Sequence, residues 1–191
     1  MAANFWQGQK VRLRSIAPED WAIFYDWNTD TEVAQYSSAV PFPTSTEAFK
    51  KWAAEAAMAG PKNDTFRWVI ENLDGGLVGT IHTHNCIARW GTFQYGVAIQ
   101  REHWRKGYAA EAILLVLGYY FRELRYQKAT VDIYAFNEAS LRLHERLGFK
   151  HEGRLRRMIY TDGAYHDKLI LGMTAEEFEG SQKQAKNKKS E

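Results

Sequence analysis

A short basic loop in the middle of the chain carries the residues whose types best suit ligand chemistry. The segment from Trp104 to Ala112 reads WRKGYAAEA and follows an apolar strand pattern that ends at Ile99. Backbone N–H groups of such a loop, together with the positive end of a helix that begins after Gly107, can hold a diphosphate. The spacing matches neither a Walker P-loop nor a Gly-x-Gly-x-x-Gly turn. The pattern therefore predicts a loop that binds a phosphate-bearing ligand but belongs to neither of these two motifs.

Two further groups of residues could carry chemistry, but their spacing favours simpler interpretations. His82, His84 and Cys86 alternate along one predicted strand and share a face, which would suit zinc. A fourth ligand is missing and side chains on one flat strand diverge, so we predict no metal site there. We expect an exposed or pocket-lining face instead. The arginines between positions 154 and 157 are interpreted as surface residues beside a strand.

Hydrophobic periodicity and turn residues divide the chain into helices and strands. The predicted strands are Gln9–Arg14, Phe66–Glu71, Leu77–His84, Thr92–Ile99, Lys128–Ala135, Gly153–Tyr160 and Ala164–Met173. Two helices are predicted in the N-terminal part, from Pro18 through Trp27 and from Ser45 to about Met58, the second after a capping box at Thr44. A long helix is predicted from Gly107 to Leu124. A shorter one runs from Glu138 to Leu147, with Asn137 and Gly148 as its caps, and one helical turn follows Thr174. The stretch Tyr36–Pro43 is predicted to be a loop. This order predicts an α/β (α+β) fold whose sheet is largely antiparallel.

Composition narrows the class of protein. The 191 residues are 45 % hydrophobic and 25 % charged, which allows one domain with a sizeable core. We expect that domain to cover 1–179 and the polar, lysine-rich tail 180–191 to be disordered. A formal charge of +2 argues against nucleic acid or anionic membrane as a partner. A single cysteine, Cys86, and the lack of a membrane-length apolar run or leader pattern predict a cytoplasmic protein.

The order of these pieces resembles the GNAT superfamily of acetyl-CoA-dependent N-acetyltransferases, most closely its ribosomal-protein N-terminal acetyltransferase branch. The resemblance runs from Val11 to Phe178 and is strongest in Tyr95–Ile99, Trp104–Ala112 and Asn137–Phe149. It implies a mixed, mostly antiparallel sheet of about seven strands flanked by helices, with strands that splay apart at the cofactor site. In the family's loop pattern, Gln/Arg-x-x-Gly-x-Gly/Ala, Gly107 and Ala109 match the last two fixed positions, whereas Trp104 replaces the first. Because this loop binds through its backbone, we expect the binding mode to survive.

The resemblance also implies how acetyl-CoA is held. The diphosphate is expected at the basic loop and the pantetheine arm along the end of the preceding strand, where its amides can pair with backbone. A backbone N–H of Val97 or Ala98 is the expected donor to the developing oxyanion. The implied cofactor-binding residues are Val97, Ala98, Ile99, Arg105, Lys106, Gly107, Tyr108, Ala109, Ala110, Asn137 and Ser140.

Acetyl transfer to an amine requires that the amine lose a proton and that the departing thiolate gain one. The resemblance places Asn137, Ser140 and His144 at the reacting centre. Many relatives have a Tyr proton donor where this chain has His144, whereas the ribosomal branch favours a Ser that matches Ser140, and both residues remain candidates. Glu111, Glu152 and Asp167 are the carboxylates in patterned stretches. Glu111 is attributed to the helix dipole, and no general base is assigned.

These features predict an N-acetyltransferase that moves acetyl to a primary amine by direct attack in a ternary complex. The acceptor is expected to be a protein N-terminus or a small-molecule amine, and the protein a monomer or homodimer. The alternative is a non-catalytic acyl-CoA-binding module, which would keep the basic loop without a working acid. The presence of Asn137, Ser140 and His144 favours the enzyme.

Overall fold

In the computed structural model, residues 4–37 and 40–187 are described. Seven strands form one mixed sheet: β1 Val11–Arg14, β2 Arg67–Asn72, β3 Leu77–Ile87, β4 Thr92–Ile99, β5 Lys128–Tyr134, β6 Lys150–Thr161 and β7 Ala164–Thr174. Their order across the sheet is β1-β2-β3-β4-β5-β7-β6. The pairs β1–β2, β2–β3, β5–β7 and β6–β7 are antiparallel, and β4–β5 is parallel. The predicted fold class is confirmed.

Six α-helices accompany the sheet: α1 Trp21–Thr29, α2 Thr31–Ser37, α3 Thr46–Met58, α4 Tyr108–Arg122, α5 Glu138–Leu147 and α6 Ala175–Asn187. The chain divides into two compact units, each made of two segments. The first comprises 1–84 and 96–115, and the second comprises 85–95 and 116–191. Strands β3 and β4 and helix α4 contribute to both units.

The first unit is built around side chains that the antiparallel strands and α1 turn inward. Ile16, Phe24, Val69 and Leu77 form its buried cluster, and Trp27, Phe49 and Ala56 pack against that cluster. Because the cluster includes residues of α1, α3, β2 and β3, these elements are held to one another by burial of apolar surface. This packing fixes the strands on which part of the candidate site lies.

The second unit depends on aromatic packing and on a long strand pair. Phe93 of β4 stacks on Tyr120 of α4 with ring centroids 4.3 Å apart. Strand β5 pairs with β7 from Lys128–Thr174 to Tyr134–Lys168. The parallel register of β4 with β5 consists of three residue pairs, which involve Thr92, Phe93 and Gln94 of β4.

Two local predictions near the N-terminal helices were wrong. Part of the predicted loop is helical, because α2 extends to Ser37; residues 38–39 lie outside the described part of the chain. The cap of α3 is Ser45, whose hydroxyl oxygen accepts the N–H of Ala48 at 3.2 Å. Thr44 instead donates its hydroxyl to the carbonyl oxygen of Phe42 at 3.1 Å, which leaves it no capping role.

The C-terminal segment also differs from the expectation of a single helical turn followed by disorder. Helix α6 continues past Gly180 to Asn187, and residues 188–191 lie outside the described residues. Phe178 is 2 % exposed, and Glu179 accepts a 2.7 Å hydrogen bond from Arg122 of α4. These two contacts anchor the first turns, and the Gln, Lys and Ala residues that follow favour helix.

Candidate active site

The basic loop is tied to the end of β4 by the residue that departs from the family pattern. A 3₁₀ turn, Arg101–His103, follows β4 directly. The indole N–H of Trp104 then donates to the carbonyl oxygen of Ile99 at 2.7 Å. The Trp104 ring also meets Tyr36 of α2 edge-on, with centroids 6.3 Å apart. Trp104 therefore anchors the loop to the strand and to α2.

Two separate features of the loop favour glycine at position 107. Gly107 has φ +87°, in the left-handed region, and Arg105 lies there too with φ +62°. A Cβ at position 107 would lie 2.9 Å from the ammonium nitrogen of Lys10. The carbonyl oxygen of Gly107 accepts the N–H of Glu111 at 3.2 Å, so the first turn of α4 begins at once. The first N–H groups of a helix have no partner within the helix, and those of this turn are the ones expected to bind an anion.

Lys10 fixes the peptide group at the centre of the loop. Its ammonium donates to the carbonyl oxygen of Lys106 at 2.9 Å. In a trans peptide the C=O and the following N–H point in opposite directions, so this bond turns the N–H of Gly107 away from Lys10. A charged donor on the carbonyl also polarises the N–H toward an anion. Sequence reasoning missed Lys10, which is nearly one hundred positions away and has no motif around it.

Glu111 connects the start of β1 to the first turn of α4. Its carboxylate accepts three backbone N–H groups: Gln9 at 2.9 Å, Lys10 at 2.6 Å and Val11 at 2.8 Å. The helix-dipole interpretation was therefore incomplete, because the carboxylate also holds the segment that carries Lys10. With its oxygens occupied in this way, Glu111 is a structural residue of the loop and a poor candidate for the general base.

The strand residues expected to receive the pantetheine arm lie in the same unit as the loop. Val97, Ala98 and Ile99 are all half-buried on β4. Their neighbour Gly96 faces His82 of β3: a Cβ at position 96 would lie 2.7 Å from Cε1 of the imidazole. Because Gly96 has no side chain, the His82 ring can lie against β4, the strand expected to receive the pantetheine arm. The sequence alone did not reveal this contact.

The three residues expected at the reacting centre lie along α5 in the second unit, from its N-cap to its last turn. Asn137 caps the helix, with its side-chain oxygen accepting the N–H of Ser140 at 3.1 Å. His144 lies one turn further on and is 2 % exposed. Its ring stacks on Tyr95 with centroids 5.9 Å apart and meets Phe149 edge-on at 5.2 Å. Asn137, Ser140 and His144 are therefore brought together.

The hydrogen bonds of His144 decide which ring nitrogen carries the proton. Nδ1 lies 2.8 Å from the carbonyl oxygen of Ser140, and a carbonyl can only accept, so Nδ1 is the donor. Burial lowers the pKa of His144, although the bond to the Ser140 carbonyl opposes that shift. The ring is therefore neutral near pH 7, with a lone pair on Nε2. Within the described residues, Nε2 has no hydrogen-bond partner, and neither has the buried Tyr95 hydroxyl.

The remaining carboxylates named from the sequence are engaged in ion pairs. Glu152 accepts from the Lys128 ammonium at 2.6 Å. Asp167 accepts the backbone N–H of Arg157 at 2.8 Å and the guanidinium of Arg154 at 2.5 Å, and these bonds hold the pKa of Asp167 below its ordinary value. Both carboxylates are therefore already held by partners in the structure.

Metal and membrane features were also sought in the part of the chain that the structure describes. There, no three His, Cys, Asp or Glu side chains form a group that could hold a metal ion. Within residues 4–37 and 40–187, none of the helices combines the length and apolar character that crossing a bilayer requires.

Comparison with known proteins identifies the family. A family model described as "Acetyltransferase (GNAT) domain" matches residues 10–150. The chain belongs to the GNAT acetyltransferase family. GNAT acetyltransferases use acetyl-CoA, and the chain is accordingly an acetyltransferase enzyme, as its sequence predicts, rather than a binding module alone.

Individual GNAT relatives cover nearly the whole chain. The SPbeta prophage-derived uncharacterized N-acetyltransferase YokL of Bacillus subtilis (strain 168) is 42 % identical over 94 % of this chain and 98 % of its own. The spermidine N(1)-acetyltransferase of Vibrio cholerae serotype O1 is 26 % identical over 83 % of this chain and 89 % of its own. The crystal structure of spermidine N-acetyltransferase from Vibrio cholerae in complex with CoA and spermine has a TM-score of 0.77 at 20 % identity, covering 90 % of this chain and 99 % of that one.

Proposed function

We propose that this GNAT enzyme transfers the acetyl group of acetyl-CoA to a primary amine by direct attack in a ternary complex. The observation that carries the proposal is the loop before α4. There Gly107 adopts φ +87° while Lys10 turns the neighbouring peptide, an arrangement whose backbone N–H groups could bind a diphosphate. The diphosphate is assigned to Arg105–Ala110 and the pantetheine arm to Val97–Ile99. Asn137 and Ser140 contribute further cofactor contacts.

Thiolate protonation is assigned to Ser140 rather than to His144. The nitrogen of the neutral amine bonds to the thioester carbonyl carbon, the C–S bond breaks, and the coenzyme leaves as a thiolate. The new amide nitrogen releases its extra proton to water. His144 in its neutral form carries a lone pair on Nε2 and uses its Nδ1 proton on a carbonyl, so it has no proton to give in that direction. The Ser140 hydroxyl is half-buried at the start of α5 and gives its proton to sulfur, then regains one from solvent.

The acceptor is proposed to be a small-molecule amine or a protein N-terminus. A relative named spermidine N(1)-acetyltransferase supports amine acetylation, and YokL supports N-acetylation in general. The likeness of the basic loop and of Ser140 to the ribosomal-protein N-terminal acetyltransferase branch supports the peptide alternative. A cytoplasmic location, supported by the single cysteine Cys86, and a monomeric or homodimeric state complete the proposal.

Two measurements test the function. Calorimetry with coenzyme A should give saturable one-to-one binding that Gly107→Asp abolishes, because the new carboxylate would stand beside the diphosphate. A thiol-release assay with acetyl-CoA and a panel of primary amines should show amine-dependent turnover. Saturable binding without release for any amine would refute the enzymatic proposal. Unchanged affinity in a folded Gly107→Asp protein would refute the position of the cofactor.

A further inference from the structure

We propose that the acceptor carries a carboxylate as well as the reacting amine, and that Arg67 of β2 binds this carboxylate. The inference rests on the proposed acetyl transfer and specifies the acceptor for the same site. Three neighbouring strands of the first unit carry it, together with the charges that lie on one face of those strands. It would make the chain an acetyltransferase for short amino acids or similar compounds, rather than for purely cationic amines.

Arg67, His82 and Gly96 form a row across strands β2, β3 and β4. Arg67 of β2 is the register partner of His82 of β3. The ring of His82 in turn covers Gly96 of β4, where a Cβ would lie 2.7 Å from the imidazole. Residues directly opposite each other in adjacent strands project from the same face of a sheet. Arg67 and His82 therefore share the face on which Gly96 leaves space, immediately before Val97.

The guanidinium of Arg67 differs from those of Arg12, Arg14 and Arg101 in having no acidic partner among the described residues. Arg12 and Arg14 are paired with Glu71, and Arg101 is paired with Asp30 at 2.9 Å. No hydrogen bond or ion pair joins the side chain of Arg67 to any residue within 4–37 and 40–187. Neighbouring groups partly desolvate the guanidinium and lower the pKa of Arg67, but the residue is exposed overall, so a ligand can reach it. A bound carboxylate would supply the counter-ion that the guanidinium lacks.

His82 adds a second feature that suits an amino acid. Desolvation, followed by the charges of Arg67 and His84, lowers the pKa of His82 to about 4. The imidazole is thus neutral near pH 7 and can accept an N–H from an incoming amine, while Arg67 holds the carboxylate. A polyamine would instead bring additional positive charge toward Arg67.

The strand spacing sets the expected size of the acceptor. Adjacent strands lie about 4.8 Å apart, so the Cα atoms of Arg67 and Gly96, two strands apart, are about 10 Å from each other. The arginine side chain spans much of that distance. The amine and the carboxylate of the acceptor should therefore be separated by only a few bonds, as in β-alanine or 4-aminobutyrate.

Matched amines provide the test. Thiol release would be measured for β-alanine and β-alaninamide, for 4-aminobutyrate and 4-aminobutyramide, and for spermidine, with kcat/KM corrected for the fraction of free amine. We expect each carboxylate to exceed its amide at least tenfold. In Arg67→Met that ratio should fall to about one, and Arg67→Lys should keep part of it. Arg89→Met is the matched control and should keep the wild-type ratio. Arg89 is exposed and, within the described residues, forms no ion pair.

Several outcomes would overturn the inference. These are equal or better turnover of the amides or of spermidine in the wild-type enzyme, or a preference for carboxylates that Arg67→Met and Arg67→Lys leave intact. If Arg67→Met does not fold, the loss in Arg67→Lys and in Arg67→Gln decides the result.

A binding measurement separates failure of this inference from failure of the proposed function. The Nε–H signal of Arg67 in ¹⁵N-labelled, coenzyme A-saturated protein would be followed by NMR while 4-aminobutyrate or its amide is added. A saturable shift with the carboxylate alone supports the site even if no amine is acetylated, in which case only the proposed reaction fails. No shift with the carboxylate refutes the site, whatever the enzyme acetylates.

Discussion

Replacing Glu111 by Gln should both destabilise the protein and weaken its hold on coenzyme A. The Glu111 carboxylate accepts the N–H groups of Gln9, Lys10 and Val11, at distances from 2.6 to 2.9 Å. Gln keeps the size and shape of the side chain but supplies one oxygen in place of two, and its NH₂ group then faces backbone donors. The substitution therefore removes the negative charge and at least one acceptor while leaving the helix propensity almost unchanged.

The size of the effect follows from those three bonds. A hydrogen bond to a charged group contributes about 1.5–3 kcal/mol, and this site is partly exposed, which favours the lower end. Losing the charge and one acceptor should therefore cost about 2–4 kcal/mol in the free energy of unfolding. For a chain of this length each kcal/mol lowers Tm by about 2–4 °C, so the expected drop is about 4–16 °C.

Thermal unfolding and calorimetry with coenzyme A would measure the two consequences. The dissociation constant should rise several-fold, since Lys10 is displaced from the carbonyl of Lys106 when the segment around it loosens. Glu138→Gln is the matched control and should change Tm very little, because Glu138 is an exposed helix residue that, among the described residues, forms an ion pair with Arg142 alone. A Tm for Glu111→Gln within 2 °C of wild type, or unaltered coenzyme A affinity, would contradict the reasoning.

Three other substitutions follow from single features of the structure. Gly107→Ala should weaken coenzyme A binding at least tenfold in calorimetry, because position 107 has φ +87° and the new Cβ meets Lys10; equal affinity would exclude this geometry. Ser140→Ala should lower kcat at least tenfold, by more than it weakens coenzyme A binding, and an unchanged kcat would exclude Ser140 as the proton donor. His82 has a folded pKa of about 4, below its unfolded value near 6.5, so the unfolded chain binds the proton first as pH falls. The contribution of His82 to the free energy of unfolding is therefore complete above pH 6.5 and is lost as the pH falls toward 4. In urea unfolding, the free energy of unfolding of His82→Gln should fall less across that range than that of the wild type.

Local signals in the sequence predicted most of the architecture. The range of β4 was predicted to the residue, since its alternation is bounded by a glycine before it and a basic loop after it. Asn137 and Gly148 were assigned as the two ends of α5, and the structure confirms the Asn137 cap and φ +99° at Gly148. Such features depend on residues within about four positions of each other, which is the range over which periodicity and capping operate.

The parts that could not be predicted depend on contacts between distant segments. Lys10 and Lys106 meet because β1 starts beside the loop, and nothing around Lys10 marks that proximity. The role of Glu111 was underestimated for the same reason, because its partners lie one hundred positions earlier. Arg67 was not considered, since its distinguishing property is the lack of an acidic neighbour in three dimensions, which a sequence does not display.

The choice between Ser140 and His144, which the sequence leaves open, depends on a single backbone contact. Both residues lie on one face of α5, and the sequence allows either one to donate a proton. The carbonyl of Ser140, 2.8 Å from Nδ1, commits the only proton of the neutral ring to the backbone. Because Nδ1 is protonated, it cannot accept from the Ser140 hydroxyl 3.4 Å away, so that hydroxyl keeps its proton for another acceptor. We therefore propose that the proton that reaches the thiolate comes from Ser140 rather than from His144.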